Sequence, residues 1–190
     1  MDALLSVFTA FGLSSSAGLI AYLPLLVVAL LARFTGLVTL QSPWDAMTSW
    51  WVIGLLTVLL AIEMLVDKVP AVDTINDVIQ TLVRPAAGAI LFASNAGVIG
   101  DTHPVLALVC GLLIAGGVHA AKATARPVVT ASTGGMLNPV VSTLEDVVAL
   151  VTAIVSILAP ILGLLILVLL VIWLVRRLRQ RRRESTAAGW

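Results

Sequence analysis

Residues 117–146 read GVHAAKATARPVVTASTGGMLNPVVSTLED and lie between two long apolar segments. The stretch holds five ionisable side chains near its two ends: His119, Lys122, Arg126, Glu145 and Asp146. Between these ends, its prolines and paired glycines disfavour an unbroken helix, because proline lacks a backbone donor and glycine is conformationally loose. Inside a bilayer, a broken backbone survives only where protein or a water-filled cavity satisfies its polar groups. We therefore predict that this stretch is the functional centre and that it is broken or re-entrant near 127–139.

The composition decides the class of protein. Hydrophobic residues make up 60% of the 190 residues and charged residues only 11%, whereas about a quarter of the residues in a soluble domain are charged. Several segments reach the roughly 20 apolar residues that a membrane-spanning helix needs. The sequence predicts an all-α integral membrane protein, with a single transmembrane domain over residues 1–178 and a basic cytoplasmic tail over residues 179–190.

Few residues are available to bind a metal. Cys110 is the only cysteine, and His103 and His119 are the only histidines. One cysteine cannot form an intramolecular disulfide, and this set is too small for a cysteine or histidine metal cluster. We expect neither a metal nor a cofactor. The chain begins Met1-Asp2 without a basic leader, so we expect no cleaved signal peptide.

The apolar segments predict a polytopic bundle of about six spans: 3–32, 50–66, 85–99, 105–121, 127–144 and 147–175. The first span contains a small-residue run near 12–18, for which two interpretations are open. The run is either a notch for close helix packing or a second broken segment whose hydroxyls line a site. Polar residues repeat at helical spacing before the third span, which predicts an amphipathic helix near 73–83. We expect the last span to tilt, or to bend at Pro160.

The basic residues give a topology. Six arginines lie between Arg176 and Arg183, and this tail should be cytoplasmic by the positive-inside rule. Counting back over six spans places both termini and Lys122 in the cytoplasm, with Asp101 and Glu145 on the outer side. The tail is also suited to bind anionic lipid, while nucleic-acid binding is not expected.

Ionisable groups inside a membrane are costly and mark candidate sites. Glu63 and Asp67 are four residues apart and share one helical face, and we expect them to pair across the bundle with the cations near residue 122. The alternative is that Glu63 lies at a partly solvated helix end. The candidates for a substrate or ion path are Ser14, Ser15, Ser16, Glu63, Asp67, Arg84, His119, Lys122, Arg126, Ser132, Thr133, Asn138, Glu145 and Asp146.

Motifs along nearly the whole chain resemble one family. They are the segments 12–18 and 21–25, Asp67-Lys68-Val69-Pro70, Arg84-Pro85-Ala86-Ala87-Gly88, Ser132-Thr133-Gly134-Gly135 and Asn138-Pro139-Val140-Val141-Ser142. The chain is similar in these motifs to a bacterial membrane family, the domain of unknown function numbered four-one-two-six. Position 20 is Ile where the family pattern leads us to expect Asn. The resemblance implies a multi-pass protein of the bacterial cytoplasmic (inner) membrane and carries no activity with it.

Three functions are compatible with the residues. The first is a small transporter or channel for an ion, a small anion or a lipid head group, since Arg84 and Arg126 suit an anionic substrate. The second is a structural or accessory membrane protein that packs with or regulates a partner. The third is an intramembrane enzyme using residues 14–16 with His119, which we do not favour because no Gly-x-Ser-x-Gly elbow or orienting acid is present. The small size makes a homodimer plausible for a transport path.

Overall fold

The structure is a computed structural model that describes residues 3–67 and 70–160, together with the isolated positions 169, 172 and 176. All regular structure in these residues is helical, which confirms the all-α class. The elements are α1 (Ala3–Leu19), α2 (Tyr22–Phe34), a 3-10 helix (Trp44–Thr48), α3 (Trp50–Val66), α4 (Pro70–Asn95), α5 (Val98–Thr102), α6 (Pro104–Thr133) and α7 (Asn138–Leu158).

The first predicted span is two short helices, α1 of 17 residues and α2 of 13 residues. The prediction of a break near 12–18 is wrong, because α1 continues to Leu19. Serine hydroxyls in a helix can bond to the carbonyl one turn back, as Ser15 does to Phe11. The break falls at residues 20–21, since Pro24 cannot donate to the carbonyl of Ile20 and its ring would clash there.

Helix α3 covers Trp50–Val66, which are the bounds predicted for the second apolar segment. Ser49 caps its first turn by accepting a hydrogen bond from the backbone N–H of Val52 at 3.4 Å, which satisfies a donor that has no partner within the helix. The Trp50 ring contacts Phe34 edge-on at 5.9 Å between ring centroids. Helices α2 and α3 are therefore antiparallel, with the end of α2 beside the beginning of α3.

The predicted amphipathic helix near 73–83 and the predicted third span are parts of one helix, α4, which has 26 residues and contains Pro85. Proline inside a helix removes one backbone hydrogen bond. Close to Pro85, α4 packs tightly against α6. A Cβ added to Gly88 would meet the Cβ of Ala115 and would lie 2.8 Å from the carbonyl oxygen of Gly111. The two helices cross at nearly backbone-to-backbone distance.

The chain between residues 104 and 158 forms a helical hairpin. Helix α6 runs unbroken for 30 residues through Pro127, and it ends at Gly134, whose φ of 59° is the left-handed conformation that glycine adopts readily. The break predicted near 127–139 is therefore confined to the turn at residues 134–137. The loop predicted at Glu145–Asp146 is wrong, because α7 passes through both acids.

Glu145 and Asp146 can lie within a helix because their side chains are at least partly buried inside the protein. Asp146 is buried and Glu145 is half-buried in an ion pair. Helix α7 ends at Leu158, just before Pro160, where the last span was expected to bend. Of the rest of that span, only residues 159, 160, 169 and 172 are described, and the basic tail over residues 179–190 lies outside the described residues.

Helix α1 lies at the centre of the bundle, antiparallel to α4 and α7. The hydroxyl of Ser14 donates to the carbonyl of Gly88 on α4 at 2.9 Å, and that of Ser16 donates to Ala149 on α7 at 2.7 Å. At the beginning of α1, Ser6 lines a cavity together with Asp101 and other residues. We call this end of the bundle the cavity end.

The common cavity corrects the predicted topology, which had placed the chain's beginning and Asp101 on opposite sides of the membrane. The hairpin of α1 and α2 is the reason, since two short antiparallel helices replace one long span. Among the described helices, α6 and α7 are the two that are long and apolar enough to cross a membrane. The helices α1, α2 and α3 are shorter apolar helices.

The outer surface is largely apolar, and the interior combines an apolar core with buried polar and charged side chains. Large apolar side chains are exposed along the outer helices, including Trp51 and Leu65 on α3, Leu106 and Leu113 on α6, and Leu144 and Val147 on α7. Hydroxyl and charged side chains are buried instead, including Ser14, Ser16, Glu63, Arg84 and Ser156. Soluble monomers rarely expose contiguous apolar patches larger than a few hundred Å².

Candidate functional site

Six charged side chains from four helices meet at the end of α1 that is opposite the cavity. We call them the charge cluster: Glu63 of α3 and Asp67 at its C-terminal cap, Arg84 of α4, Lys122 and Arg126 of α6, and Glu145 of α7. Arg84 is 0% exposed and Glu63 is 1% exposed. Residues of these types are almost never fully buried unless they are paired.

The six charges neutralise one another. Arg84 lies between the two acids of α3, 3.3 Å from Glu63 and 3.5 Å from Asp67. Lys122 is 3.1 Å from Asp67 and 3.0 Å from Glu145. Arg126 completes the set at 3.0 Å from Glu145 and 3.6 Å from Asp67. Three cations thus face three carboxylates, and each cation contacts two acids, which offsets part of the cost of removing them from water.

The charge cluster also forms hydrogen bonds with the backbone groups at the break between α1 and α2. The carboxylate of Glu63 accepts hydrogen bonds from the backbone N–H groups of Ala21 at 3.2 Å and Tyr22 at 3.4 Å. Lys122 donates to the carbonyl of Leu19 at 3.1 Å. An anion is therefore placed at the start of α2 and a cation at the end of α1, which are the positions that helix dipoles favour.

His119 fixes the orientation of Arg84. Its Nδ1 lies 2.9 Å from Nη1 of Arg84, and its Nε2 lies 3.1 Å from the hydroxyl of Thr81. Because a guanidinium can only donate hydrogen bonds, Nδ1 of His119 must be the acceptor. We therefore assign the proton to Nε2, where the ring N–H faces Thr81, and the imidazole in this arrangement is neutral.

Within the described part of the chain, two buried polar atoms close to the cluster in sequence have no hydrogen-bond partner, namely Oε1 of Gln80 and the hydroxyl oxygen of Ser142. Gln80 lies one helical turn before Arg84, and Ser142 lies three residues before Glu145. Buried polar atoms are nearly always satisfied, so such exceptions point to bound water, an ion or a functional role.

Seven of the fourteen predicted site residues come together at the helix break: the six of the charge cluster and His119. The pairing expected between the acids of α3 and the cations of α6 is present, as the contacts of Lys122 with Asp67 show. Asp146 is buried on α7, next to Glu145 in sequence. Sequence reasoning missed Asn76, which donates to Asp67 at 2.8 Å, and Thr81. Their positions beside the polar stripe of α4 were the available signal.

The other predicted residues lie elsewhere. Ser14 and Ser16 join α1 to its neighbours through backbone carbonyls, as expected of a packing notch. The hydroxyls of Ser132 and Thr133 donate to the carbonyl of Val129 within α6. Asn138 exchanges hydrogen bonds with Thr130 across the α6–α7 turn. Within the described residues, the hydrogen bonds of these side chains go to groups outside the charge cluster.

The cavity lies at the cavity end of the bundle, separated from the cluster by most of the length of α1, about 20 Å at 1.5 Å per residue. Its volume is about 370 Å³, within the range of roughly 300–1,000 Å³ for small-molecule sites. Its polar lining comprises Ser6, Thr9, Thr39, Gln41, Ser94, Asn95 and Asp101.

The fold and the cluster define a class of protein: an all-helical bundle with an apolar outer surface and an ion-paired interior. The chain belongs to the family described as Domain of unknown function (DUF4126), whose family model matches residues 7–180. This match confirms the resemblance seen in the sequence, and the matched range contains the charge cluster and all but one of the residues that line the cavity. No curated protein and no solved structure gives a significant match to the chain.

Proposed function

We propose that the protein is a small membrane transporter or channel for an ion, a small anion or a lipid head group, and that the charge cluster is its gate. One observation carries the proposal. Six charged side chains neutralise one another around a helix break, inside a bundle whose outer surface is apolar. Discontinuous helices with charged groups at their ends are a recurring form of transporter site.

The exposed side chains support a location in the membrane. Helices α6 and α7 are long and apolar enough to span it, and Trp50 and Trp51 at the start of α3 are exposed, as suits anchors at the membrane interface. We extend this to the bacterial cytoplasmic membrane with about six passes, because α1–α2, α3–α4 and α6–α7 are three antiparallel pairs. The arginine-rich tail would then lie in the cytoplasm and bind anionic lipid.

The energetics of buried ion pairs suit a gate. Removing one partner of a buried pair costs about 3–5 kcal/mol, because the other charge is left uncompensated. The cluster therefore opens only when another group replaces a partner, such as an anion at a guanidinium or a proton on a carboxylate. Arg126 and Glu145 are the least buried pair, with side chains 11% and 16% exposed, and we assign them as the point of exchange.

The alternative is a structural or accessory membrane protein that packs with or regulates a partner, in the form of a homodimer or a hetero-complex. The complete pairing of the cluster favours this alternative, since a static lock needs every charge to be neutralised. The two functions predict different results for flux when both charges of the Arg126–Glu145 pair are removed.

Flux from proteoliposomes distinguishes the two functions. Wild-type protein, Arg126→Gln, Glu145→Gln and the double variant are reconstituted at matched density and screened with ions, small anions and lipid head groups. We expect the wild type to move one class of solute and all three variants to lose at least tenfold of that flux. Thermal unfolding should show the double variant close to wild type, because it restores the balance of charge.

The double variant provides the control for folding. Flux that persists in the double variant at wild-type rate would show that the pair is not part of the gate. Absence of any flux from well-folded wild-type protein, with unfolding temperatures lowered in the single variants and restored in the double variant, would favour the accessory protein. Capture of a partner by the wild type would then be the next experiment.

A further inference from the structure

The cavity differs from the charge cluster in charge as well as in position. Asp101 is the one charged residue among those that line it. Within the described part of the chain, the Asp101 carboxylate forms neither a salt bridge nor a hydrogen bond through its side chain. Among the described residues that line the cavity, the negative charge of Asp101 is not balanced by a cation, which favours a cation and disfavours an anion as ligand.

The carbonyl ends of three helices lie at the cavity and also favour a cation over an anion. Asn95 is the last residue of α4, Ile157 lies in the last turn of α7, and residues 36–38 follow the end of α2. The carbonyl ends of helices carry partial negative charge. These three carbonyl ends add negative partial charge at the cavity, beside the positive partial charge at the beginning of α1, and the carboxylate of Asp101 decides the preference for a cation.

The amide of Asn95 adds an acceptor. Its Nδ2 donates to the carbonyl of Leu91 and to the hydroxyl of Ser94, both at 2.9 Å. Both amide hydrogens are thereby used, so the remaining Oδ1 can only accept a hydrogen bond. Together with the hydroxyls of Ser6 and Thr9, the lining offers acceptors to a ligand that carries N–H or O–H groups.

We propose that this cavity binds a small organic ammonium compound, with Asp101 as the counter-ion and the ring of Trp44 as an aromatic wall. Trp44 lines the cavity, and tryptophan faces attract ammonium groups by cation–π interaction. A divalent metal ion fits less well. Ca²⁺ and Mg²⁺ take about six or more oxygen ligands with several carboxylates, and no group of three His, Cys, Asp or Glu side chains that could hold a metal occurs in the described residues.

This inference deepens the proposed function, because it names the class of solute that would enter the path from the cavity end. The binding itself requires no flux, and binding and transport can therefore fail separately. A cavity that binds an ammonium compound in a protein without flux would support an accessory role with a ligand. Flux without ammonium binding would still support the charge cluster as the gate, and it would contradict the proposal that the cavity binds an ammonium compound.

The test is calorimetric titration of the full chain in nanodiscs made only of phosphatidylglycerol, which contains no ammonium group. Ethanolamine is compared with ethylene glycol, its neutral counterpart of similar size, and with sodium acetate. We expect saturable binding of ethanolamine alone. Asp101→Asn should weaken it at least tenfold, and Trp44→Phe should weaken it less.

Two further arms make the result specific. Asp45→Asn removes an exposed acid that does not line the cavity and should leave the affinity unchanged. Glycerophosphoethanolamine has the structure of a lipid head group, whereas ethanolamine is a free amine. If the ligand of the cavity is a lipid head group, glycerophosphoethanolamine should bind with higher affinity than ethanolamine. Equal binding of ethylene glycol, no loss in Asp101→Asn, no binding of ethanolamine, or displacement of ethanolamine by equimolar magnesium would each overturn the proposal.

Discussion

Replacing Arg84 by methionine is expected to lower the free energy of unfolding by about 3–5 kcal/mol, as for other buried ion pairs that lose one partner. Methionine keeps much of the length and apolar volume of the side chain but removes its charge. Glu63 would then remain buried and, among the described residues, would keep the hydrogen bonds from the N–H groups of Ala21 and Tyr22. Thermal or denaturant unfolding of the purified protein in detergent measures the loss.

Two variants serve as controls for Arg84→Met. Arg33→Met removes an exposed arginine that bonds to the carbonyl of Thr48 and should change the unfolding temperature little. Glu63→Gln combined with Arg84→Met removes one charge of each sign, and should recover part of the loss. An Arg84→Met protein that unfolds at the wild-type temperature would show that the cluster contributes nothing to stability.

Replacing Gly111 by alanine is expected to destabilise the protein by about 1–3 kcal/mol or more through overpacking. The new Cβ would meet the carbonyl oxygen of Gly88, and it would lie 2.6 Å from the Cβ of Phe92 and 2.8 Å from the Cα of Ala89. Two of these three atoms belong to the backbone of α4, so α4 and α6 must separate. The same unfolding measurement quantifies the effect.

Gly117→Ala is the matched control on the same helix, because a Cβ at Gly117 meets nothing within 4 Å. Alanine there should be neutral or should stabilise the helix by about 0.5–1 kcal/mol, the usual advantage over glycine in a helix interior. If both alanine variants have the same stability, the close crossing of α4 and α6 is not present in the folded protein.

The helices could be predicted from the sequence where a single local rule decides their ends. Helix α3 begins after a serine cap and ends before the charged residues at 67–68, and its bounds were predicted correctly. The prolines were harder to interpret. Pro85 and Pro127 lie inside helices, whereas Pro24 accompanies a break. Whether a helix tolerates the lost hydrogen bond depends on the packing around it, which no local pattern contains.

The charged side chains of the candidate site could be predicted from the sequence, but the backbone groups that bind them could not. The spacing of Glu63 and Asp67 placed both acids on one helical face, and their cost in a membrane predicted partners of opposite charge. The partners at Leu19 and Ala21 are backbone groups freed by a helix break, and backbone groups leave no residue-type pattern. The serines of α1 were ambiguous for a related reason, since packing and ligand binding use the same small hydroxyl side chains.

The most direct test of the central claim measures whether water reaches the charge cluster during transport. Gln80→Cys is introduced in a Cys110→Ala background, because Gln80 is buried one helical turn before Arg84 and its Oε1 has no hydrogen-bond partner among the described residues. The protein is reconstituted in vesicles and treated with a membrane-impermeant thiol reagent. Labelling should be slow at rest and several-fold faster when the transported solute is present. A cysteine that stays unreactive while the vesicles transport solute would contradict the account and identify the cluster as a static lock.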